Sequence, residues 1–195
     1  PFWLQPETHF VGTANYSREF EIPATWAGRR IVLTLERPHW KSTVLLDGRE
    51  IGSNDALSVP HVYELGSSLS PGKHRLEVRI DNRLIPDIGE NSHSISDHTQ
   101  GNWNGIAGRV TLTSSAPVWI DDVRVAPNVE RRAITITGKL GRSNDATALP
   151  RTVALSVGDQ RQEAPVAADG SWRTELSIGA NAGLWDEFTP TLHRL

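Results

Sequence analysis

His74-Arg75-Leu76-Glu77-Val78-Arg79-Ile80-Asp81-Asn82 alternates without a break: Leu76, Val78 and Ile80 fall on one face, and Arg75, Glu77 and Arg79 on the other. A period of two with one apolar face is the mark of a half-buried strand in an antiparallel sheet. The same rhythm recurs on both sides of this stretch. Tyr16, Phe20 and Ile22 alternate with Ser17, Glu19 and Glu21, and Ile31, Leu33 and Leu35 form a second set. Val44 with Leu46, Val110 with Leu112, Ile134 with Ile136, and Val153 with Leu155 and Val157 continue it. No convincing amphipathic helix of about ten residues interrupts the pattern.

Turn signals punctuate these runs. Asp47-Gly48 separates Thr43–Leu46 from Arg49–Ile51, the strongest short-range sign of a hairpin. Pro71-Gly72 precedes the best strand, and Asp169-Gly170 precedes Trp172. Many short strands with regular turns predict an all-β sandwich fold. Ser114-Ser115-Ala116-Pro117 reads as a boundary, placing one domain over residues 1–116 and a second over 117–195. The second set of strands, from Val118–Val125 to Trp172–Ile178, spans fewer residues than the roughly 100 of a full immunoglobulin-like sandwich. Leu192-His193-Arg194-Leu195 reads as the start of a further strand, and the chain opens on Pro1-Phe2-Trp3 without methionine. Both features lead us to expect a piece of something longer.

Composition narrows the function classes. Within 195 residues, 37% are hydrophobic, enough for a core in each of two modest domains. Twenty Lys and Arg stand against 23 Asp and Glu, a net charge of −3. That balance offers no basic footprint for nucleic acid and no polybasic patch for a membrane surface, so neither partner is expected. No apolar run approaches the ~18 residues of a helical span. The absence of cysteine excludes disulfides, thiol catalysis and cysteine-based zinc sites, and is compatible with an oxidising compartment.

One stretch breaks the rhythm. Residues 84–105 read LIPDIGENSHSISDHTQGNWNG, a polar segment longer than the ~12–15 residues usual for a connection. Loops of that length are usually functional or disordered, and Ile88, Ile95 and Trp103 argue against disorder. A metal reading would use His93, Asp97 and His98, with Asp87 and Glu90 nearby, but the spacing fits no zinc-ligand signature. Solvated loop histidines are the plainer reading, and no metal or cofactor is expected. Asp121-Asp122 and Asp186-Glu187 are adjacent carboxylates, yet neighbours in a strand point to opposite faces and do not make a glycosidase pair. The chain holds no nucleophile elbow, phosphate loop or dinucleotide fingerprint.

Seven tryptophans are many for this length. A sugar ring offers an apolar C–H face to an indole and hydroxyls to amide, carboxylate and imidazole groups. Trp103, between Asn102 and Asn104, supplies both kinds of group. It can plug the end of the sandwich, contact a ligand, or do both. Trp3, Trp26, Trp40, Trp119, Trp172 and Trp185 flank or interrupt strands and are expected in core or interdomain positions. His39, after Arg37-Pro38, could reach a ligand, but satisfying a turn is the plainer reading, and His61 after Pro60 is similar.

Four motifs, in order, resemble the sugar-binding domain of glycoside hydrolase family 2, the β-galactosidase, β-glucuronidase and β-mannosidase group. They are residues 45–53 (LLDGREIGS), 60–65 (PHVYEL), 71–82 (PGKHRLEVRIDN) and 103–110 (WNGIAGRV). Together they cover about residues 15–113. Residues 119–125 (WIDDVRV) resemble the opening of that family's immunoglobulin-like second domain. Residues 184–195 (LWDEFTPTLHRL) resemble a later strand of it, with His193 where a tyrosine is usual. The resemblance implies a jelly-roll-like sandwich followed by a partial immunoglobulin-like sandwich. It implies a parent enzyme that hydrolyses β-linked glycosides with retention, on a barrel of about 250 residues not found in this sequence. No catalytic residue can therefore be carried over. In some members a loop ahead of the "GI" strand reaches the sugar, which implies substrate contacts at His93, Asp97, Trp103 and Asn104. The implied partners are the carbohydrate and the parent's own barrel. Exported members of the family make a periplasmic or secreted location one expectation. A stand-alone carbohydrate-binding module and a structural interaction module remain the alternatives; fold alone does not choose among them.

Overall fold

A computed structural model describes residues 10–67, 69–85, 89, 92, 103–144 and 147–195. The chain divides into two units, Pro1–Ser115 and Ala116–Leu195. The structure is all-β, and every strand pair is antiparallel.

In the first unit the described strands are β1 (Thr13–Ile22), β2 (Arg30–His39), β3 (Lys41–Leu46), β4 (Arg49–Asn54), β5 (His61–Gly66), β6 (Gly72–Asp81) and β7 (Gly105–Ser115). One sheet runs β1-β6-β3-β4 and the other β5-β2-β7. The alternation that opened the sequence reading is the reason for both. Val78 and Ile80 of β6 face Ile31, Leu33 and Leu35 of β2 across a core that also holds Ile22, Val44, Leu46, Tyr63 and Leu65. Each such side chain contributes about 1.5–3 kcal/mol when fully buried. Asp47 and Gly48 both take positive φ (51° and 81°), the turn that matches strand twist and lets β3 fold back on β4.

The second unit contains β8 (Val118–Asn128), β9 (Ala133–Arg142), β10 (Thr152–Val157), β11 (Gln160–Pro165) and β12 (Ser171–Ser177). They form a β12-β9-β8 sheet and a β10-β11 pair. Ile134, Ile136 and Leu140 of β9, Leu155 and Val157 of β10, Ala164 of β11, and Trp172 and Leu176 of β12 make its core.

Two expectations are corrected. Residues 192–195 carry no strand, and the last pairing in the chain is an isolated bridge between Trp185 and Pro190. Trp185 is not a core residue of its unit: it is 64% exposed. Tyr16 keeps the face its alternation gives, in register with buried Val78, but on the edge strand β1 it stays partly exposed, with its phenol against Gly105 of the facing sheet.

Candidate functional site at one end of the first unit

Strand register collects the candidate residues. Thr13 and Lys41 both pair with Asp81, Ser42 pairs with Asn54, and His39 pairs with Gly105. Thus β1, β3 and β7 start, and β2, β4 and β6 stop, at the same end of the sandwich. The segment joining β6 to β7 is anchored at that end on both sides.

Three aromatic rings lie in a row there. Trp103 stands 5.3 Å from His39, and His39 stacks on Trp40 with centroids 5.7 Å apart. The inner two are buried and Trp103 is 38% exposed. The Trp40 indole donates to the Asp55 carbonyl at 2.6 Å, and its backbone N–H donates to Asp81 at 3.1 Å. Trp103 donates its indole N–H to the Arg37 carbonyl at 2.9 Å. An indole held along its polar edge keeps part of its surface open, which is how a stacking platform works.

Asn104, beside it, is exposed, and its Oδ1 accepts from Asn82 Nδ2 at 2.5 Å. Asn82 also donates to the Phe10 carbonyl at 2.6 Å and accepts from the Gly12 N–H at 2.7 Å, so one amide ties three segments together. The Asp81 carboxylate accepts from the Arg83 backbone and guanidinium. That charge-assisted contact holds the Asp81 pKa down at about 2. Trp103 and Asn104 are thus brought together on one side of this end. His93 and Asp97, like His98, Asp87 and Glu90, lie outside the described residues. Among the described residues no group of three or more His, Asp or Glu is placed to hold a metal ion.

Sequence reasoning missed a buried polar network one layer inside. Ser42 Oγ lies 2.5 Å from both His61 Nδ1 and the Tyr63 hydroxyl. His61 Nε2 meets the Ala56 carbonyl at 2.7 Å. The carbonyl can only accept, so Nε2 carries a hydrogen, and the Tyr63 hydroxyl also donates to the Ser42 backbone carbonyl at 3.1 Å. Burial pushes the Tyr63 phenol pKa up. A serine beside a histidine has the form of a nucleophile and its base, but both residues are 0% exposed and no substrate can reach them. The network serves the fold. Its signal was present in the alternation of His61, Tyr63 and Leu65 with Val62 and Glu64.

The adjacent carboxylates are otherwise engaged. Asp121 accepts from the Trp119 indole at 3.0 Å, and Asp122 pairs with Arg124 at 3.0 Å. Asp186 caps a turn through the N–H groups of Phe188 and Thr189.

No protein-family model matches the sequence. Known structures do match. The chain is similar to a GH2 β-galacturonidase from Eisenbergiella tayi bound to galacturonate: TM-score 0.69, 23% identity, covering 98% of this chain and 34% of that one. It is also similar to a β-glucuronidase from Ruminococcus gnavus in complex with D-glucuronic acid: TM-score 0.68, 18% identity, 98% and 35% covered. A third match is Bifidobacterium dentium β-glucuronidase complexed with coumarin-3-O-glucuronide: TM-score 0.66, 20% identity, 91% and 35% covered. What the likeness shows is the fold. The chain spans about a third of the length of these glycosidases.

Proposed function

We propose that this chain is the non-catalytic N-terminal part of a retaining β-glycoside hydrolase of family 2. In this reading the first unit is the jelly-roll-like sugar-binding domain and the second belongs to an immunoglobulin-like sandwich. Together they support a catalytic barrel elsewhere in the parent chain. Trp103 and Asn104, with His93 and Asp97 from the segment ahead of them, lend contacts to the sugar. The observation that carries the reading is the pairing of the four ordered motifs with a fold likeness that covers 91–98% of this chain but about a third of each glycosidase. The half-open Trp103 indole beside the exposed Asn104 amide supports the sugar contact. Retention needs two carboxyl groups about 5 Å apart across the scissile bond, and in this reading the barrel supplies them.

The test is direct. This chain should turn over no chromogenic β-galactoside, β-glucuronide, β-galacturonide or β-mannoside, whereas the parent protein should hydrolyse one of them. In the parent, Trp103→Ala should lower kcat/KM for that substrate. Turnover by this chain alone, or a parent without glycosidase activity, would sink the proposal. A second reading, a carbohydrate-binding module acting unaided, is favoured by the anchoring of Trp103 within its own unit. Glycan binding by this chain alone, lost in Trp103→Ala, would select it.

A further inference from the structure

His74 begins the row of inward positions that continues through Leu76, Val78 and Ile80, so a histidine occupies an apolar row at the end of the first unit remote from Trp103. Its Nδ1 lies 2.7 Å from Asp47 Oδ2, and its Nε2 lies 2.8 Å from the Ser70 carbonyl. A carbonyl oxygen can only accept. The Asp47 carboxylate also acts as an acceptor, because its other oxygen takes the Arg75 N–H at 2.8 Å. Two acceptors aimed at the two nitrogens of one imidazole are both satisfied only when both nitrogens carry hydrogen. His61 differs, since one of its two partners is a hydroxyl that can donate.

We infer that His74 is a proton-operated clamp, which as the imidazolium joins the Asp47-Gly48 turn to the loop ahead of β6 and on deprotonation lets go of one of them. The proton leaves to solvent, and the single remaining N–H can bond either acceptor but not both. Asp47 faces the ring from the β3–β4 turn, the Ser70 carbonyl from the loop, and Phe20 from β1 at 5.9 Å. The other nearby charges, Glu19, Glu21, Lys73 and Arg75, stand in register on the opposite face of β1 and β6, where the Arg75 guanidinium donates to Ser17 Oγ at 3.1 Å. Hydrogen bonding to Asp47, then to Ser70, raises the His74 pKa above 6.5. Hydrogen bonds from the Arg75 backbone and then from His74 lower that of Asp47 below 3.8. A raised histidine pKa contributes stability that is complete below the unfolded value and disappears as pH climbs through the folded one. A depressed carboxylate pKa contributes above its unfolded value. The clamp is therefore fully closed between pH 3.8 and 6.5 and opens on the alkaline side.

Titrating the His74 ring by NMR in the intact chain tests this, together with hydrogen exchange at the amides of Asp47 and Arg75, which bond across the turn. The midpoint should lie above 6.5, fall in Asp47→Asn, and coincide with a loss of protection at those two amides or with a change in the Ser70 carbonyl carbon shift. A midpoint at or below 6.5, or a titration that changes neither this protection nor the Ser70 carbonyl carbon shift, would overturn the inference. The wild-type titration decides the matter even if Asp47→Asn fails to fold.

Discussion

Trp103 donates its indole N–H to the backbone carbonyl of Arg37 across 66 residues of sequence, at 2.9 Å. The second residue ahead of β7 is thereby fastened to β2. Replacing Trp103 by Phe deletes that bond but keeps a ring over His39. We expect a stability loss of about 1 kcal/mol and most sugar binding retained in the parent protein. Trp103→Ala removes the platform as well, and sugar affinity should fall by tenfold or more, equivalent to at least about 1.4 kcal/mol. Calorimetric titration and urea unfolding of both variants separate the two effects. Equal affinity in Phe and Ala variants would show that the ring is not a platform.

The Ser42, His61 and Tyr63 network makes a stability prediction with no catalytic component. Ser42→Ala strands Nδ1 of His61 in a buried site and should cost about 1–3 kcal/mol. Tyr63→Phe removes the donor to Ser42 and should fall in the same range. The double variant should cost less than the sum, because the three groups share one network. Denaturant midpoints measure all three, and strict additivity would show that the bonds act separately.

Most of the first unit was legible because most of its inward positions are apolar. Leu76, Val78 and Ile80 name their face without help from any other strand, and Asp47-Gly48 names its turn. The polar strand β11 was not legible. Its sequence Gln160–Pro165 presents one buried residue, Ala164, and is held as a strand by pairing with β10. The exposure of Tyr16 was not legible, because alternation gives a face but not the distance from the sheet edge. At the candidate site, Trp103 and Asn104 were legible as an aromatic flanked by amides. The clamp that Asn82 places on Asn104, Phe10 and Gly12 was not, since it joins segments up to 72 residues apart.

In the second unit the buried Trp172 indole lies against Gly138. A Cβ there would sit 2.2 and 2.5 Å from two ring carbons and 2.7 Å from the Asp122 carbonyl oxygen. A buried indole and backbone cannot both retreat, so Gly138→Ala should cost about 1–3 kcal/mol through overpacking. The Trp172 indole N–H is buried without a hydrogen-bond partner among the described residues. Trp172→Phe therefore loses packing but no hydrogen bond, and should cost less than the ~3–5 kcal/mol expected of Trp172→Ala. Thermal unfolding of the three variants ranks them; a Phe variant as damaging as Ala would mean the N–H is satisfied.

Asp81 links acid stability to the candidate site. Its carbonyl accepts from the Trp40 N–H, and its carboxylate is held by Arg83 with a pKa of about 2, against 3.8 for the free group. A depressed carboxylate pKa adds stability above pH 3.8 that is lost as pH falls through about 2. The Arg83 side chain is 67% exposed, so solvent screening holds this contribution to about 1 kcal/mol or less. Arg83→Ala should therefore change stability little at about pH 2, by an intermediate amount at about pH 3, where the wild type has lost part of the benefit, and most near neutrality. The difference in urea midpoint between wild type and Arg83→Ala, followed from about pH 2 to pH 7, should grow as pH rises and then level off. A difference that stays flat across that range would mean that Arg83 contributes through packing, and that the Asp81 carboxylate owes its low pKa to other groups.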